Sequence, residues 1–438
     1  MDVVLSDGSG FFLQYPKAQP RLRPLPQHQA PRAPAIGAMP GFLIHGAIPT
    51  PEEPSMYFSP ERNQWFTERL FAHVRAGTTD QAAGMMEYDL SMYADPNIAR
   101  QERERIFRRL PMMTLLSSQL PEAGDFVTVR LNETNVLVTR QPDGSVMAFV
   151  NACRHRGATV VTQESGKRRL FSCPYHGWSY APDGKLKAIS FRETFGQLDA
   201  PRDLVRLPVE ERHGFIWIVE DPAGSIDIAA HLGPGMDRLL ADYHLEQFFC
   251  YRTHELEFPQ NWKVMLEGVL DGYHVSFVHG DTIKPYFYLN MMVIDDFGHH
   301  HVTGTPRRTI DTILDQPPGS KPLDDYAVFG NLVSPNTTFV LHPHHIEHWT
   351  LYQDTKDPGR CRVQLRILTR TRGHDERGEA IMAKNWRIAE AAIVNEDVPV
   401  GNSIQSSAGH PFGSPVLLGL NEVGNQVFHR AWRHYMGV

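Results

Sequence analysis

Two short runs carry residue types that can bind metal. The first is Cys153-Arg154-His155-Arg156-Gly157, and the second is Cys173-Pro174-Tyr175-His176-Gly177-Trp178, with seventeen residues between His155 and Cys173. Each run offers one thiolate and one imidazole, spaced C-x-H and C-x-x-H. Two sulfur and two nitrogen donors suit either a tetrahedral zinc or a [2Fe–2S] cluster in which histidines replace two cysteines on one iron. Both Cys–His pairs are followed by Gly, and Pro174 lies inside the second, so both read as tight loop tips, not as the strand pair and helix of a zinc finger. Two loops clamping a compact cluster suit this pattern better. Four unrelated core residues are a poor account in a chain with four cysteines.

A second constellation lies between Asn261 and His279. Glu267, Asp271 and His274 are four and three residues apart, a spacing that puts them on one side of a helix spanning Asn261 to Tyr273. His279 follows five residues after His274. At about 100° per residue it falls roughly 140° out of line, so the helix must kink or end if both imidazoles are to converge. Two histidines and one carboxylate on one face of an octahedron leave open positions, as in non-haem Fe(II) oxygenases. Asp397 is the best candidate for the carboxylate: in a continuous helix from Glu379, Trp386, Ala389, Ile393 and Asp397 share a stripe, and Pro399 ends the helix behind it. Glu267 is the alternative. Asp271 can accept a hydrogen bond from His274 and orient it, against the plainer reading of a buried acid held by a local donor. Histidines 299–301, 342, 344, 345 and 348 are expected to be solvent-facing or hydrogen-bonded, although His345 or His348 could line a pocket.

The cysteine–histidine runs resemble the Rieske signature, and the chain from about residue 85 onward resembles the large, catalytic subunit of the Rieske non-haem iron oxygenases, also called aromatic-ring-hydroxylating oxygenases. The resemblance implies a cluster on Cys153, His155, Cys173 and His176 and a mononuclear Fe(II) on His274, His279 and Asp397. Asn395-Glu396-Asp397 with the later Gln405 matches the family's Glu-Asp pair and Gln, whereas Asn402 stands where the family often has Glu. The resemblance further implies catalytic roles for Asp271 and Asn261, with Asp271 bridging His274 to His176 of an adjacent subunit.

These sites need elements to hold them. A chain of 438 residues with 41% apolar and 21% charged residues suits more than one folded unit. The expected class is α+β: a small all-β Rieske domain plus a larger α+β catalytic domain with an antiparallel sheet flanked by helices. The expected boundaries are an N-terminal extension over 1–84, a helical lead-in over 85–118, the Rieske domain over 119–222 and the catalytic domain over 223–438. Residues up to about 60 are Pro-rich and read as an extended arm. Short helices are expected at Trp65–Val74 and from Asp95 to a stop at Pro111. Strands are expected at Phe126–Val129, Asn135–Arg140, Val146–Val150, Lys167–Ser172 and Phe215–Val219. The second unit should add strands Cys250–Phe258, Phe287–Ile294, Thr338–Leu341, Ile346–Gln353 and Arg362–Thr369, with a long loop over Gly304–Val328. Cys250 and Cys361, in apolar strand-like runs, read as buried thiols.

The formal charge of −7 without a concentrated basic patch argues against nucleic acid or an anionic membrane as partner. No apolar run approaches twenty residues and no secretory leader is seen, so the expected address is cytoplasmic. Without a nicotinamide or flavin glycine fingerprint, NAD(P)H is expected to act through a separate reductase, with or without a ferredoxin. Taken together, these features point to a terminal oxygenase component that uses O2 on an aromatic or other hydrophobic substrate. The resemblance implies a homotrimer, or a trimer joined by three small subunits. A monooxygenase or demethylase acting on a methylated or quaternary amine is the alternative, with Tyr286, Phe339 and Trp349 as a cation-binding wall. A non-catalytic iron–sulfur protein and a zinc-stabilised binding module are the rivals from other classes.

Overall fold

Apolar alternation from Asp125 onward builds a unit made of strands. The computed structural model describes residues 55, 57–280, 282–410 and 415–438, so most of the Pro-rich arm lies outside the described residues. A five-stranded antiparallel sheet runs in the order Arg206–Leu207, Val146–Val150, Asn135–Arg140, Asp125–Arg130 and Ser165–Lys167. Against it packs a three-stranded sheet of Val209–Arg212, Phe215–Ile218 and Met112–Leu116, and the two share a core that includes Val136, Val138, Leu207 and Ile216. Met112–Leu116 is a strand in the stretch expected to be helical. All five of its residues are buried, so it shows no alternation that sequence reading could use. A third small sheet, Phe171–Ser172, Ser179–Tyr180 and Leu186–Ala188, carries the second cysteine–histidine loop.

The larger part is built on a seven-stranded antiparallel sheet. Its order is Phe249–Phe258, Cys361–Thr369, Ile346–Gln353, Thr337–Leu341, Ala327–Val333, His301–Pro306 and Val293–Asp296. Strands therefore occupy both ends of the stretch 304–328, which was expected to be a loop throughout. Helix α1 (Pro60–Ala76) follows a Ser59 cap, and α2 (Pro96–Glu102) an Asp95 cap. Helix α3 (Ile228–Asp242) is interrupted at Gly233. Then come α4 (Trp262–Leu270), α5 (Val275–Val278), α6 (Glu376–Ala391), α7 (Val398–Ser407) and α8 (Val423–Met436). Helices α1 and α3 bury their apolar residues with Phe329, Phe339 and Leu368 of the sheet. Helices α4, α6 and α8 bury theirs with Val363, Leu365 and Ile367. Alternation along one strand thus feeds two cores.

Two buried arginines of that same strand tie the sheet to the all-β unit. Arg362 donates to the Leu131 carbonyl at 2.7 Å, and Arg366 donates to the Thr114 carbonyl at 2.5 Å. Glu102 and Lys263, both wholly buried, pair at 2.6 Å and fix α2 to the start of α4. The same carboxylate accepts from the Trp262, Trp432 and Gln353 side chains. Cys361 is buried and Cys250 half-buried, and both are free thiols.

Candidate metal centres

The two cysteine–histidine loops fold alike. The Gly157 amide donates to the Cys153 carbonyl and the Gly177 amide to the Cys173 carbonyl, at 2.8 and 3.0 Å. Gly177 has φ +71°, and a Cβ there would also strike Ser190 Oγ, so the turn requires glycine. The thiols of Cys153 and Cys173 are buried, whereas both imidazoles reach the surface. His155 Nδ1 and His176 Nδ1 lie 3.1 Å apart. Trp178 stacks on His155 at 5.0 Å and 8°. Tyr180 Oη accepts from the Arg154 amide at 2.9 Å and lies 3.3 Å from Cys153 Sγ, so its proton is free to point at the sulfur. Burial, with Cys153 adding to it, raises the Cys173 thiol. Burial lowers His155, and His176 adds to the effect. The two Nδ1 atoms meet each other and the two thiols interact with each other, a nitrogen pair and a sulfur pair such as a cluster with mixed ligation needs.

The second centre forms where α4 stops. Asp271 leaves the helix with extended backbone (φ −98°, ψ 123°), and α5 restarts beyond His274. This break is the one that the five-residue spacing demands. It brings His274 Nε2 and His279 Nε2 to 3.2 Å from each other. Asp397 Oδ1 lies 3.0 Å from His279 Nε2 and 3.6 Å from His274 Nε2. Ligands at right angles around a metal with bonds of about 2.1 Å would be roughly 3 Å apart, so the three donors fit one cation. The far ring nitrogens are both engaged. His274 Nδ1 lies 3.2 Å from Asp271 Oδ2, and His279 Nδ1 lies 2.6 Å from Glu396 Oε2. Burial opposes charge on His279, but Asp397 and Glu396 outweigh it and hold the ring above the usual histidine range.

Asp397 reaches this point by an unexpected route. The helix from α6 does not run straight through it. Residues Ala392–Asp397 form a wide turn in which the Val398 amide donates to the Ile393 carbonyl, five residues back. Pro399 does not end the helix; it sits in the first turn of α7. Glu396, which sequence reading noted only as half of a Glu-Asp pair, is thereby brought to His279. It also accepts from Thr282 Oγ1 at 2.7 Å.

Residues 111–199 match the Rieske [2Fe-2S] domain family, and residues 245–438 match the Ring hydroxylating alpha subunit (catalytic domain) family. The chain joins a Rieske domain to a ring-hydroxylating alpha-subunit catalytic domain. It is 32% identical over 214 residues to the anthranilate 1,2-dioxygenase large subunit of Acinetobacter baylyi, covering 46% of this chain and 44% of that protein. It is 34% identical over 215 residues to the large oxygenase component of a naphthalene 1,2-dioxygenase system from Ralstonia sp., covering 46% of each. The chain thus spans about half the length of these relatives. Its fold resembles that of the quaternary ammonium Rieske monooxygenase CntA in complex with L-carnitine (TM-score 0.68, 18% identity, 85% of this chain and 98% of that one). It also resembles naphthalene 1,2-dioxygenase from Rhodococcus sp. bound to indole (TM-score 0.63, 18% identity, the same coverage).

Several expected residues lie elsewhere in the catalytic domain. Asn261, expected to be catalytic, caps the start of α4. Its Oδ1 accepts from the Lys263 amide, and its Nδ2 donates to the carbonyls of Tyr93 and Pro358. Gln405 of α7 accepts from the Asn261 amide at 2.8 Å, and a Cβ on Gly401 would meet the end of the Gln260 side chain and require it to shift. Glu267 accepts from Tyr93 Oη at 2.6 Å and lies 3.2 Å from His429 Nε2 instead of joining the triad. Phe339 and Trp349 are buried in separate cores and form no joint wall. His348 is buried beside Arg366, and His300 is hydrogen-bonded at both ring nitrogens. Among the described residues no helix is long and apolar enough to cross a membrane.

Proposed function

We propose that this chain is the terminal oxygenase component of a multi-protein system, receiving electrons from a separate reductase and using O2 to oxidise an organic substrate. The observation that carries this reading is the convergence of His274, His279 and Asp397 on one point in a chain that also gathers two thiols and two imidazoles at loop tips. In this reading Cys153, His155, Cys173 and His176 hold the [2Fe–2S] cluster, and the facial triad holds Fe(II). Bound there, the cluster supplies single electrons and the iron supplies open positions for O2.

The chain's own residues set the conditions. Asp271 and Glu396 accept the Nδ1 protons of His274 and His279, which leaves each Nε2 lone pair for the metal. Thr282 holds Glu396 in place. Tyr180 directs its hydroxyl proton at the Cys153 sulfur, and Trp178 shields one face of His155.

The reading extends to a homotrimer in which Asp271 of one subunit meets His176 of another. Tyr175, next to His176, and Phe277, packed on Tyr273 two residues after Asp271, are 56% and 76% exposed, which suits surfaces that a neighbour covers. Small accessory subunits, a ferredoxin and a cytoplasmic address complete the reading.

For the substrate, the mono-oxygenating reading on a methylated or quaternary amine comes first. It is supported by the fold likeness to CntA, higher than that to the Rhodococcus naphthalene dioxygenase. An aromatic or other hydrophobic substrate is the second reading, supported by the sequence relatives that act on anthranilate and naphthalene. Turnover under isotopically labelled O2 with a compatible reductase tests both. One labelled atom in product and one in water supports mono-oxygenation, and formaldehyde release identifies demethylation. Two labelled atoms in one product supports the aromatic dioxygenase reading. The oxygenase proposal itself fails if the iron-loaded protein takes up no substrate-dependent O2 across both substrate classes.

A further inference from the structure

A second cluster of metal-binding side chains lies at the hairpin joining Thr337–Leu341 to Ile346–Gln353. The His342 amide donates to the His345 carbonyl at 2.9 Å, so these residues face each other across the turn. Glu347 follows His345 by two and shares its face; it pairs with Val340, which makes it the diagonal neighbour of His342. Strand geometry therefore gathers one carboxylate and two imidazoles without any distant element.

The two rings stack, 4.5 Å apart at 8°, so one ring must turn for both in-plane lone pairs to meet one cation. Glu347 Oε1 lies 3.3 Å from His342 Nε2 and 3.9 Å from His345 Nε2. Both Nε2 atoms are buried without an aligned hydrogen-bond partner. The three side chains are 24%, 5% and 13% exposed in the order His342, His345, Glu347. Donors about a tetrahedral zinc with bonds of roughly 2.1 Å would be about 3.4 Å apart, within the range seen.

We infer that His342, His345 and Glu347 form a second, structural metal site for a divalent cation of borderline softness, zinc in the first place. Two imidazoles and a carboxylate are a common zinc donor set, with water completing the shell. Tyr57 Oη donates to the carbonyls of His342 and His345, at 2.6 and 3.3 Å. A cation here would pin the hairpin beneath the chain segment that leads into α1. The inference does not depend on the oxygenase reading.

The test uses full-length protein with cluster and iron loaded, dialysed against chelator-buffered zinc sulfate, with zinc and iron counted by emission spectrometry. One zinc per chain beyond the undisturbed iron is expected. Glu347→Gln and His342→Gln should each weaken zinc retention by at least about tenfold, while their cluster absorbance and iron content stay at wild-type levels. Zinc-edge X-ray absorption of the wild-type protein should show nitrogen and oxygen neighbours with imidazole scattering, a readout that survives if a variant misfolds. The inference is overturned by wild-type protein that retains no extra zinc, by zinc that displaces iron one for one, or by folded variants that bind zinc as the wild type does. In those cases the cluster is an ion-paired His–Glu–His group only.

Discussion

Replacing Glu102 by Gln should be among the most damaging single changes far from either centre. Its carboxylate is wholly buried and accepts four N–H groups: Lys263 Nζ at 2.6 Å, Trp432 Nε1 at 2.7 Å, and Trp262 Nε1 and Gln353 Nε2 at 3.1 Å each. Gln retains one acceptor oxygen but turns an NH2 group towards donors, and it leaves Lys263 without a counter-charge. Breaking a buried ion pair from one side costs about 3–5 kcal/mol. Lys263 can limit that cost by releasing its proton. From its ordinary value of 10.5, neutralisation at pH 7 costs about 1.4 kcal/mol per unit, a ceiling near 5 kcal/mol. Burial already pushes Lys263 in that direction. A loss of about 3–5 kcal/mol is a large part of a typical net stability of about 5–15 kcal/mol. Urea titration of equally metal-loaded proteins, followed by far-UV dichroism and cluster absorbance, measures the midpoint shift. The double variant Glu102→Leu/Lys263→Met, which removes both charges, should lie closer to wild type than Glu102→Gln. A Glu102→Gln protein within about 1 kcal/mol of wild type would refute the reasoning.

Asp397→Ala should keep the cluster spectrum and lose mononuclear iron, dropping metal content from about three irons per chain to about two; unchanged iron would reject the assignment. Glu396→Ala should weaken Fe(II) binding about 10–100-fold in a chelator competition, because His279 and Thr282 lose a shared acceptor. Glu396→Gln should lose less, and equal affinities in both would show that His279 needs no carboxylate. Asp271→Asn should retain both metals yet slow single-turnover electron delivery, and a wild-type rate would remove the bridging role. Acid should destabilise the fold through histidines held neutral. Burial lowers His231 to about 4 and His300 and His301 to about 3. The Ser334 amide donates to His300 Nδ1, a bond that protonation would break. The unfolded chain takes up these protons below about pH 6.5, so stability should fall as pH drops from there towards 4. Each group contributes up to about 1.4 kcal/mol per pH unit. Urea midpoints that stay flat between pH 7 and 5 would contradict this.

How much of this was legible in the sequence depended on how local each feature is. The cluster loops were readable because ligands, glycines and turn sit within a few residues of one another. The convergence of His274 and His279 was readable as a requirement, and the chain meets it by stopping α4 at Leu270. Glu396 was not readable as a partner of His279. Consecutive residues of a regular helix point about 100° apart, and only the wide turn lets Glu396 and Asp397 serve the same imidazole. The capping role of Asn261 was not readable, because an N-cap and an active-site amide look the same without a view of the helix start. Met112–Leu116 carries no alternation, since it is covered on both faces.

The wide turn at Ala392–Asp397 also constrains how this gene can vary. It holds about one residue more than a regular helix needs, so deleting one of the six would let α6 run smoothly into α7 with α7 near its present facing, while Glu396 and Asp397 lose the offset that lets both reach His279. Substitutions there are graded injuries, but a single-codon loss shifts the register of the whole carboxylate-bearing segment. Chain length in this stretch is therefore held more tightly than its spelling.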